Sequence, residues 1–556
     1  MAATRAALPL ARIPLLILVA VWLLPGLIGH DPWKSDDAIG IGIAHQFARD
    51  GDWLLPRLAG EHYAGDGPLF YWIAAAFARL LGGLLAQHDA ARLAGGACIA
   101  MTLGFMQLAG RALHDDARHD SDRRGGDGRG RGDSVMLLFM GCTGLLLHAH
   151  EAINETALLA GLACAYYGAA LVPKRPYAAG LALGCGLGAA FLASGLVAIL
   201  PPLVALLATP LLVPDWRSRG AALALACGLA VLLPWLVLWP ALLYARSPEL
   251  FGAWFYQANL AVLTRGFSLD STVYTLQTLA WFAFPAWPIA FWALWDCRRK
   301  PRSAGVSVPL IALIAGLGIA CLARPRGELP LLPLLLPLAL LGGQALQDLR
   351  RGAANALAWF GGMTFSLLGG LIWLGYCALL TGVPPRIAAN ATRIEPGFVA
   401  HFAWLPLIAA GVLTLAWIAL IAKSEHTPQR SVTFWTAGLA LFWALTMLLW
   451  LPWIDYGKSY RKVAQAMRSS MPKQPGCIAS LGLGEAQRAA FDYHAGIVTA
   501  RTELGERHDC RLMLIQDSAS QREPGPVGPW KKIWEGNRPG DRSEKFRLYA
   551  REKAAP

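Results

Sequence analysis

The sequence predicts a polytopic α-helical membrane protein that ends in a small α/β domain. Three observations carry this prediction. Hydrophobic residues make up 55% of the 556 positions and charged residues only 15%, whereas a soluble domain carries about 25% charged residues. Windows of about 20 residues hold no charge at all, for example "SVTFWTAGLALFWALTMLLWLPW", and such windows match the thickness of a hydrocarbon core. From Ile454 onward the composition turns into that of a soluble domain.

Taken in order, apolar segments fall at about 10–29, 90–112, 135–150, 156–172, 177–193, 196–213, 221–243, 274–296, 305–323, 330–347, 355–380, 404–422 and 432–452. These are thirteen expected spans. The first is too long for a cleaved signal peptide and lacks a small-residue cleavage site. A further segment at 68–86, "PLFYWIAAAFARLLGGLLA", reads as an amphipathic helix at the outer surface, with Arg79 interrupting its apolar face. Counting it as a span would place the basic loop Arg111–Arg131 outside. That loop, with Lys174–Arg175, Arg217–Arg219, Arg298–Arg302, Arg350–Arg351 and Lys423–Arg430, belongs on the cytoplasmic side by the positive-inside rule. The N-terminus is therefore expected inside and the C-terminus outside. The net charge of +13 reads as topology, and nucleic-acid binding is excluded.

The outer side then collects the informative loops, chiefly residues 30–89. The inner loop "HDDARHDSDRRGGDGRGRGD" reads as a disordered connector; nothing around His114, Asp116 and His119 looks preorganised for a metal. The chain divides into a membrane domain, 1–452, and a soluble outer domain, 453–556. In the latter, "KSYRKVAQAMRSS" and "EAQRAAFDYHAG" read as helices, and "CIASLGL" and "CRLMLIQ" as strands. The last part, "WKKIWEGNRPGDRSEKFRLYARE", reads as a hairpin. Eight of the ten cysteines lie in or beside apolar spans. Cys477 and Cys510 open predicted strands in the outer domain, where a disulfide and two free thiols are both open readings.

The first outer loop holds "SDDAIGIGIAHQFARD". Ile39, Ile43 and Phe47 recur at four-residue spacing, one face of a short interfacial helix. Ser35 reads as its N-cap, so Asp36 and Asp37 enter the first turn, where the helix dipole favours negative charge. The pair either only starts a helix, or keeps a carboxylate ionised at the membrane surface to orient an acceptor or a metal.

The longer stretch "SDDAIGIGIAHQFARDGDWLLPRLAGEHYAGDGPLFYW" resembles the first outer loop of the aminoarabinose lipid A transferases. Those enzymes belong to the protein O-mannosyltransferase superfamily, with the GT-C fold. The matching positions are Asp36-Asp37, Gly51-Asp52-Trp53, Pro56-Arg57-Leu58, Tyr63 and Pro68-Leu69-Phe70-Tyr71-Trp72. Thirteen spans followed by an outer α/β domain resemble the same family. The resemblance implies transfer of a sugar, with inversion, from a polyprenyl-phosphate donor to lipid A or another acceptor at the outer face of the bacterial inner membrane.

Asp36 is implied at the reaction centre beside Asp37, and Glu155 in "HEAINETALLAG" stands where a second family acid lies. Glu151 is its near alternative, and a helix-start role for Glu155 is the competing reading. Tyr63, Tyr71 and Arg57 are implied in substrate binding. The chain also departs from the pattern: Asp66, Ile39, Ser194 and Glu328 stand where basic residues are usual, and the loop after the seventh span lacks a histidine. Because a phosphate leaving group needs positive charge, Arg265 and Arg324 are candidate replacements, with Arg246 and Arg326 also on the outer face. No metal ligand is assigned and no cofactor is implied with certainty; a divalent metal stays open. An anionic phosphate acceptor needs little deprotonation, and a carboxylate at a helix start is a weak base, so a phosphate acceptor is favoured. Two other readings are a diverged GT-C protein without catalysis and a lipid-linked sugar transporter.

Overall fold

The computed structural model describes residues 12–115, 128–264, 266, 268–298, 303–323, 327–346, 349–424, 428–504, 510–518, 526, 528–541 and 543–551. In hydrocarbon every backbone polar group must be bonded internally, so the apolar runs become helices. Among the described residues seven helices are long and apolar enough to cross a membrane: Gln87–Leu113, Pro176–Ser194, Arg219–Arg246, Ala304–Leu322, Arg351–Thr381, Trp404–Lys423 and Gln429–Leu449. The apolar runs near 10–29, 156–172, 196–213 and 330–347 form shorter helices, Arg12–Leu23, Asn154–Leu171, Leu196–Leu212 and Leu332–Ala345.

Two expected spans are broken. The segment at 274–296 is not one helix but two, Leu269–Phe282 and Ala286–Cys297, bent by 94° between them. Pro285 causes the stop, because it has no N–H to donate and its ring blocks the preceding turn. The segment at 135–150 divides into Gly128–Met140 and Thr143–His148. The two breaks meet. The Thr143 N–H donates to the Phe284 carbonyl at 3.1 Å, and the Trp435 indole N–H donates to the Gly141 carbonyl at 2.8 Å. The first bond pairs one backbone group from each interruption, and a third helix supplies the donor for the other carbonyl.

The segment at 68–86 is a 13-residue helix, Leu69–Leu81, lying on the helices Asp36–Asp50 and Gln87–Asp115. It buries Phe70, Tyr71, Ala74, Ala75 and Ala78. Arg79 stays outside that face, over the Trp53 ring at 5.1 Å and donating to the Ala48 carbonyl at 3.0 Å. A two-stranded hairpin, β1 (Arg57–Leu58) and β2 (Glu61–His62), precedes it.

The C-terminal part is a five-stranded sheet in the order β4-β3-β5-β7-β6. Here β3 (Ile478–Leu481) runs parallel to β4 (Ala500–Arg501) and β5 (Leu512–Ser518), while β7 (Glu544–Arg551) is antiparallel to β5 and to β6 (Trp530–Gly536). Helices Arg461–Ser470 and Glu485–Ala495 cover it, around a core of Tyr460, Met467, Phe491, Leu514 and Phe546. The helix Leu451–Lys458 and strand β4 had no counterpart in the sequence reading, and that helix runs across position 452. Cys477 and Cys510 are bonded, with Cα atoms 4.9 Å apart. Because β3 and β5 are parallel neighbours, the residues before them start side by side.

The sheet domain rests on the first loop through polar contacts. Asp31 pairs with Arg461 and Lys34 with Glu544. Trp33 donates to Asp455 at 2.9 Å. Glu61 of β2 binds Arg488 at 2.7 Å and Arg501 at 2.6 Å.

Candidate functional site

Asp36 and Asp37 do occupy the first turn of the Asp36–Asp50 helix. Ser35 is not the expected cap: its backbone is already helical and its hydroxyl donates to Asp36 Oδ2 at 2.9 Å. The adjacent carboxylates part ways. Asp37 turns inward and is 2% exposed. It accepts from Arg92 Nη2 at 3.0 Å, Arg92 Nε at 3.2 Å, the Ala152 N–H at 2.8 Å and the Trp33 N–H at 3.1 Å. Burial pushes its carboxyl up, and the Arg92 guanidinium more than offsets this and holds it below the usual carboxylate value. Arg92, itself 0% exposed, also touches Asp89 and the carbonyls of Leu27, His30 and Asp31. Asp37 is thereby tied to structure, and Asp36 remains half-exposed, held only by the Ser35 hydroxyl among the described residues.

Close backbone approaches bring the acids together. Gly40 packs against the Ala152 carbonyl, where any Cβ would collide, and so the first-loop helix lies beside the start of Asn154–Leu171. Glu155 is in the first turn of that helix. Gly67 likewise admits no Cβ because the Leu192 carbonyl occupies the space, and its N–H donates to Ala193 at 2.9 Å. This pins Asp66 at the end of the Pro176–Ser194 helix. Tyr63 and Tyr71 donate to Asp66 Oδ2 at 3.2 Å and 3.1 Å. Withdrawal from water pushes the Asp66 carboxyl up; the two tyrosine hydroxyls oppose the shift, and the nearby Asp36 and Glu485 add to it.

Asp66 and Glu155 stand at one end of a cavity of about 300 Å³, with Gly65, Ser194 and Gln257. Its remaining walls are apolar and come from Asn154–Leu171, Leu196–Leu212, Ala304–Ala323 and the segment 329–337, including Leu158, Leu162, Pro201, Ile319 and Leu334. Asp36 is close enough to act electrostatically on both carboxyls. The arrangement suits an amphiphile with a polar head at the carboxylates and an apolar tail between helices.

Asn259, 3% exposed, accepts from the Leu196 N–H at 2.6 Å and so caps the helix after Ser194. Arg57 lies on β1; its Nε is buried without a hydrogen-bond partner, and it makes no ion pair among the described residues. Arg246 is exposed at the end of its helix. Arg265, Arg324 and Arg326 fall outside the described residues, as do Asp116 and His119. No arginine or lysine is among the described residues that line the cavity. Among the described residues no group of three His, Cys, Asp or Glu side chains is placed to hold a metal ion.

Sequence reasoning named Asp66 only as a departure from the family pattern and missed Arg92. Asp66 had a signal, an acid between two glycines at a helix entry. Arg92 had another, a charge inside an apolar run, which needs a partner in a membrane.

No protein-family model matches the chain. It is similar to an undecaprenyl phosphate-α-4-amino-4-deoxy-L-arabinose arabinosyl transferase 2 of Pseudomonas fluorescens, with 24% identity over 477 residues, 81% of this chain and 73% of that one. A transferase of the same description from Pseudomonas aeruginosa is 27% identical over 462 residues, covering 78% and 74%. Among solved structures, ArnT from Cupriavidus metallidurans bound to undecaprenyl phosphate superposes with a TM-score of 0.66, at 18% identity, over 96% of this chain and 97% of that one. The apo form gives 0.64. The chain therefore has the fold of that transferase along nearly its whole length.

Proposed function

We propose that this multi-pass membrane protein, a relative of the aminoarabinose transferases in sequence and in fold, is a polyprenyl-phosphate-sugar-dependent glycosyltransferase. It moves an aminoarabinose-type sugar from undecaprenyl phosphate to a phosphate of lipid A, with inversion. The observation that carries this reading is the cavity whose polar end holds Asp66 and Glu155 beside Asp36, and whose walls are apolar and lie between helices. The polyprenyl tail lies between those helices and the sugar phosphate lies under the first loop.

In this reading Asp36 steers the acceptor and balances charge at the anomeric carbon. Asp37 holds Asp36 in place through Arg92. Tyr63 and Tyr71, whose hydroxyls donate to Asp66, flank the donor head group, and Glu155 faces the sugar. Arg57, with Arg265 and Arg324, supplies the positive charge that the leaving phosphate needs. Arg324 belongs to the connection between Ala320 and Leu329, which both line the cavity. The protein resides in the inner membrane, crosses it thirteen times with its N-terminus in the cytoplasm, and presents residues 453–556 to the periplasm.

The test uses purified full-length protein with undecaprenyl-phosphate-aminoarabinose and lipid A, product being read by mass spectrometry. Wild-type protein adds one aminoarabinose per modified phosphate, and Asp36→Asn lowers turnover by at least about 10²-fold. Donor binding without transfer by the wild type would replace this reading with that of a fold that has lost its chemistry.

A further inference from the structure

Within reach of Glu328, the residue before the cavity-lining Leu329, lies a histidine that none of these roles uses. His148 ends the Thr143–His148 helix, and its side chain is 13% exposed. Its Nδ1 is 2.7 Å from Glu151 Oε2, and its Nε2 is 3.9 Å from Glu328 Oε2. Asp36 is close enough to act on it electrostatically. From the helix Leu269–Phe282 the Phe282 ring lies 6.1 Å from it. The charged groups facing His148 among the described residues are therefore Glu151, Glu328 and Asp36. Glu328 directly precedes Leu329, which lines the cavity, and Glu151 acts electrostatically on Glu155.

The short contact makes Nδ1 the protonated nitrogen, donating to Glu151. Nε2 then carries the lone pair, and at 3.9 Å from Glu328 it is beyond hydrogen-bond distance. An imidazole oriented by a carboxylate through one nitrogen and free at the other has the geometry of a general base. A second carboxylate within 4 Å then stabilises the imidazolium once formed. Asp36, in the first turn of a helix, is the poorer base.

We propose that His148 is the proton acceptor of the transfer reaction, oriented by Glu151 and stabilised as imidazolium by Glu328. This rests on the glycosyl-transfer reading and extends its acceptors to those that arrive with a proton on the attacking oxygen. The acceptor O–H bond breaks and its proton goes to Nε2. The oxygen bonds to the anomeric carbon, and the bond from that carbon to the donor phosphate oxygen breaks. The electron pair leaves with polyprenyl phosphate, and the imidazolium then releases its proton to solvent.

The test is the pH profile of kcat/KM between pH 5 and 9 for full-length protein, with undecaprenyl-phosphate-aminoarabinose and lipid A stripped of its phosphates, so that only hydroxyl acceptors remain, and with intact lipid A alongside. Wild-type activity should fall on the acid side as one group is protonated. His148→Gln should lower kcat by about 10²-fold and remove that acid limb, with donor binding unchanged. Added imidazole should restore part of the rate in His148→Ala. Glu151→Gln should move the limb to lower pH, since it removes a carboxylate that favours the imidazolium. A wild-type rate and profile in His148→Gln would overturn the proposal, as would an equal loss at every pH without imidazole rescue. Turnover of intact lipid A without any of the phosphate-free acceptor would also overturn the proposal, and no turnover of intact lipid A by the wild type would overturn the transfer reading itself.

Discussion

Replacing Asp37 tests how the reaction loop is held against the membrane helices. Its carboxylate receives four donors, two from the fully buried Arg92 and two from the Trp33 and Ala152 backbones. Asp37→Ala leaves those N–H groups and one face of the guanidinium unpartnered. Breaking a buried ion pair from one side costs about 3–5 kcal/mol. Arg92 keeps Asp89 at 3.3 Å and three carbonyls, so a value near 3 kcal/mol is expected. Asp37→Asn keeps the shape and loses the charge, at about 1.5–3 kcal/mol.

The assay is thermal unfolding in detergent of the wild type, Asp37→Ala, Arg92→Met and the double variant. The double variant has no stranded charge on either side, so it should be more stable than the sum of the single losses implies, by about 2 kcal/mol. Additivity within about 0.5 kcal/mol would refute the view that this pair holds the loop. The pH sign is also fixed. A carboxyl held below its ordinary value contributes stability above that value and loses it as pH falls through the lower, folded one. The difference between wild type and Asp37→Asn should be full at pH 7 and vanish only below pH 3.8.

Three further outcomes are expected. Separating Cys477 and Cys510, by reduction or by Cys510→Ala, opens a loop spanning 33 residues and should destabilise the sheet domain by about 3–4 kcal/mol, read by its proteolysis rate. Gly67→Ala should abolish transfer and lower the unfolding temperature, because its Cβ has no room beside the Leu192 carbonyl; unchanged activity would contradict the placement of Asp66. The Asp66 carboxyl is pushed up by withdrawal from water, so it costs stability as pH rises from the ordinary value of 3.8 toward its higher folded value. Asp66→Asn should therefore raise the unfolding temperature relative to wild type more at pH 8 than near the ordinary carboxylate value of 3.8, and an equal shift at both would refute the assignment.

Much of the molecule was legible in local signals. Apolar runs, the alternation of basic loops and the change of composition at Ile454 announced a helical membrane protein with an appended α/β domain. Period and punctuation gave the Asp36–Asp50 helix, the short Leu69–Leu81 helix and most strands of the sheet. The family resemblance pointed to Asp36 and Glu155, and the structure places both in first turns of helices, Glu155 lining the cavity and Asp36 close enough to act on it electrostatically.

What the sequence determined by itself was therefore most of the helices and strands, though not their breaks, and the position of each acid along the chain. Tertiary structure alone decided which way each acid faces. Asp37 is turned inward because Arg92 lies buried behind it, and Asp36, one residue earlier on the helix, is left half-exposed. Asp66, a departure from the family pattern, became the acceptor for two tyrosines because Gly67 seats its loop on the Ala193 carbonyl. The helix breaks near Gly141 and Pro285 were legible at most one by one, and their mutual backbone bond was not. The physical reason is common to all of these. Helix and strand formation is governed by neighbours within a few residues. The charge state and role of a buried polar group are instead set by whatever distant segment packing brings against it.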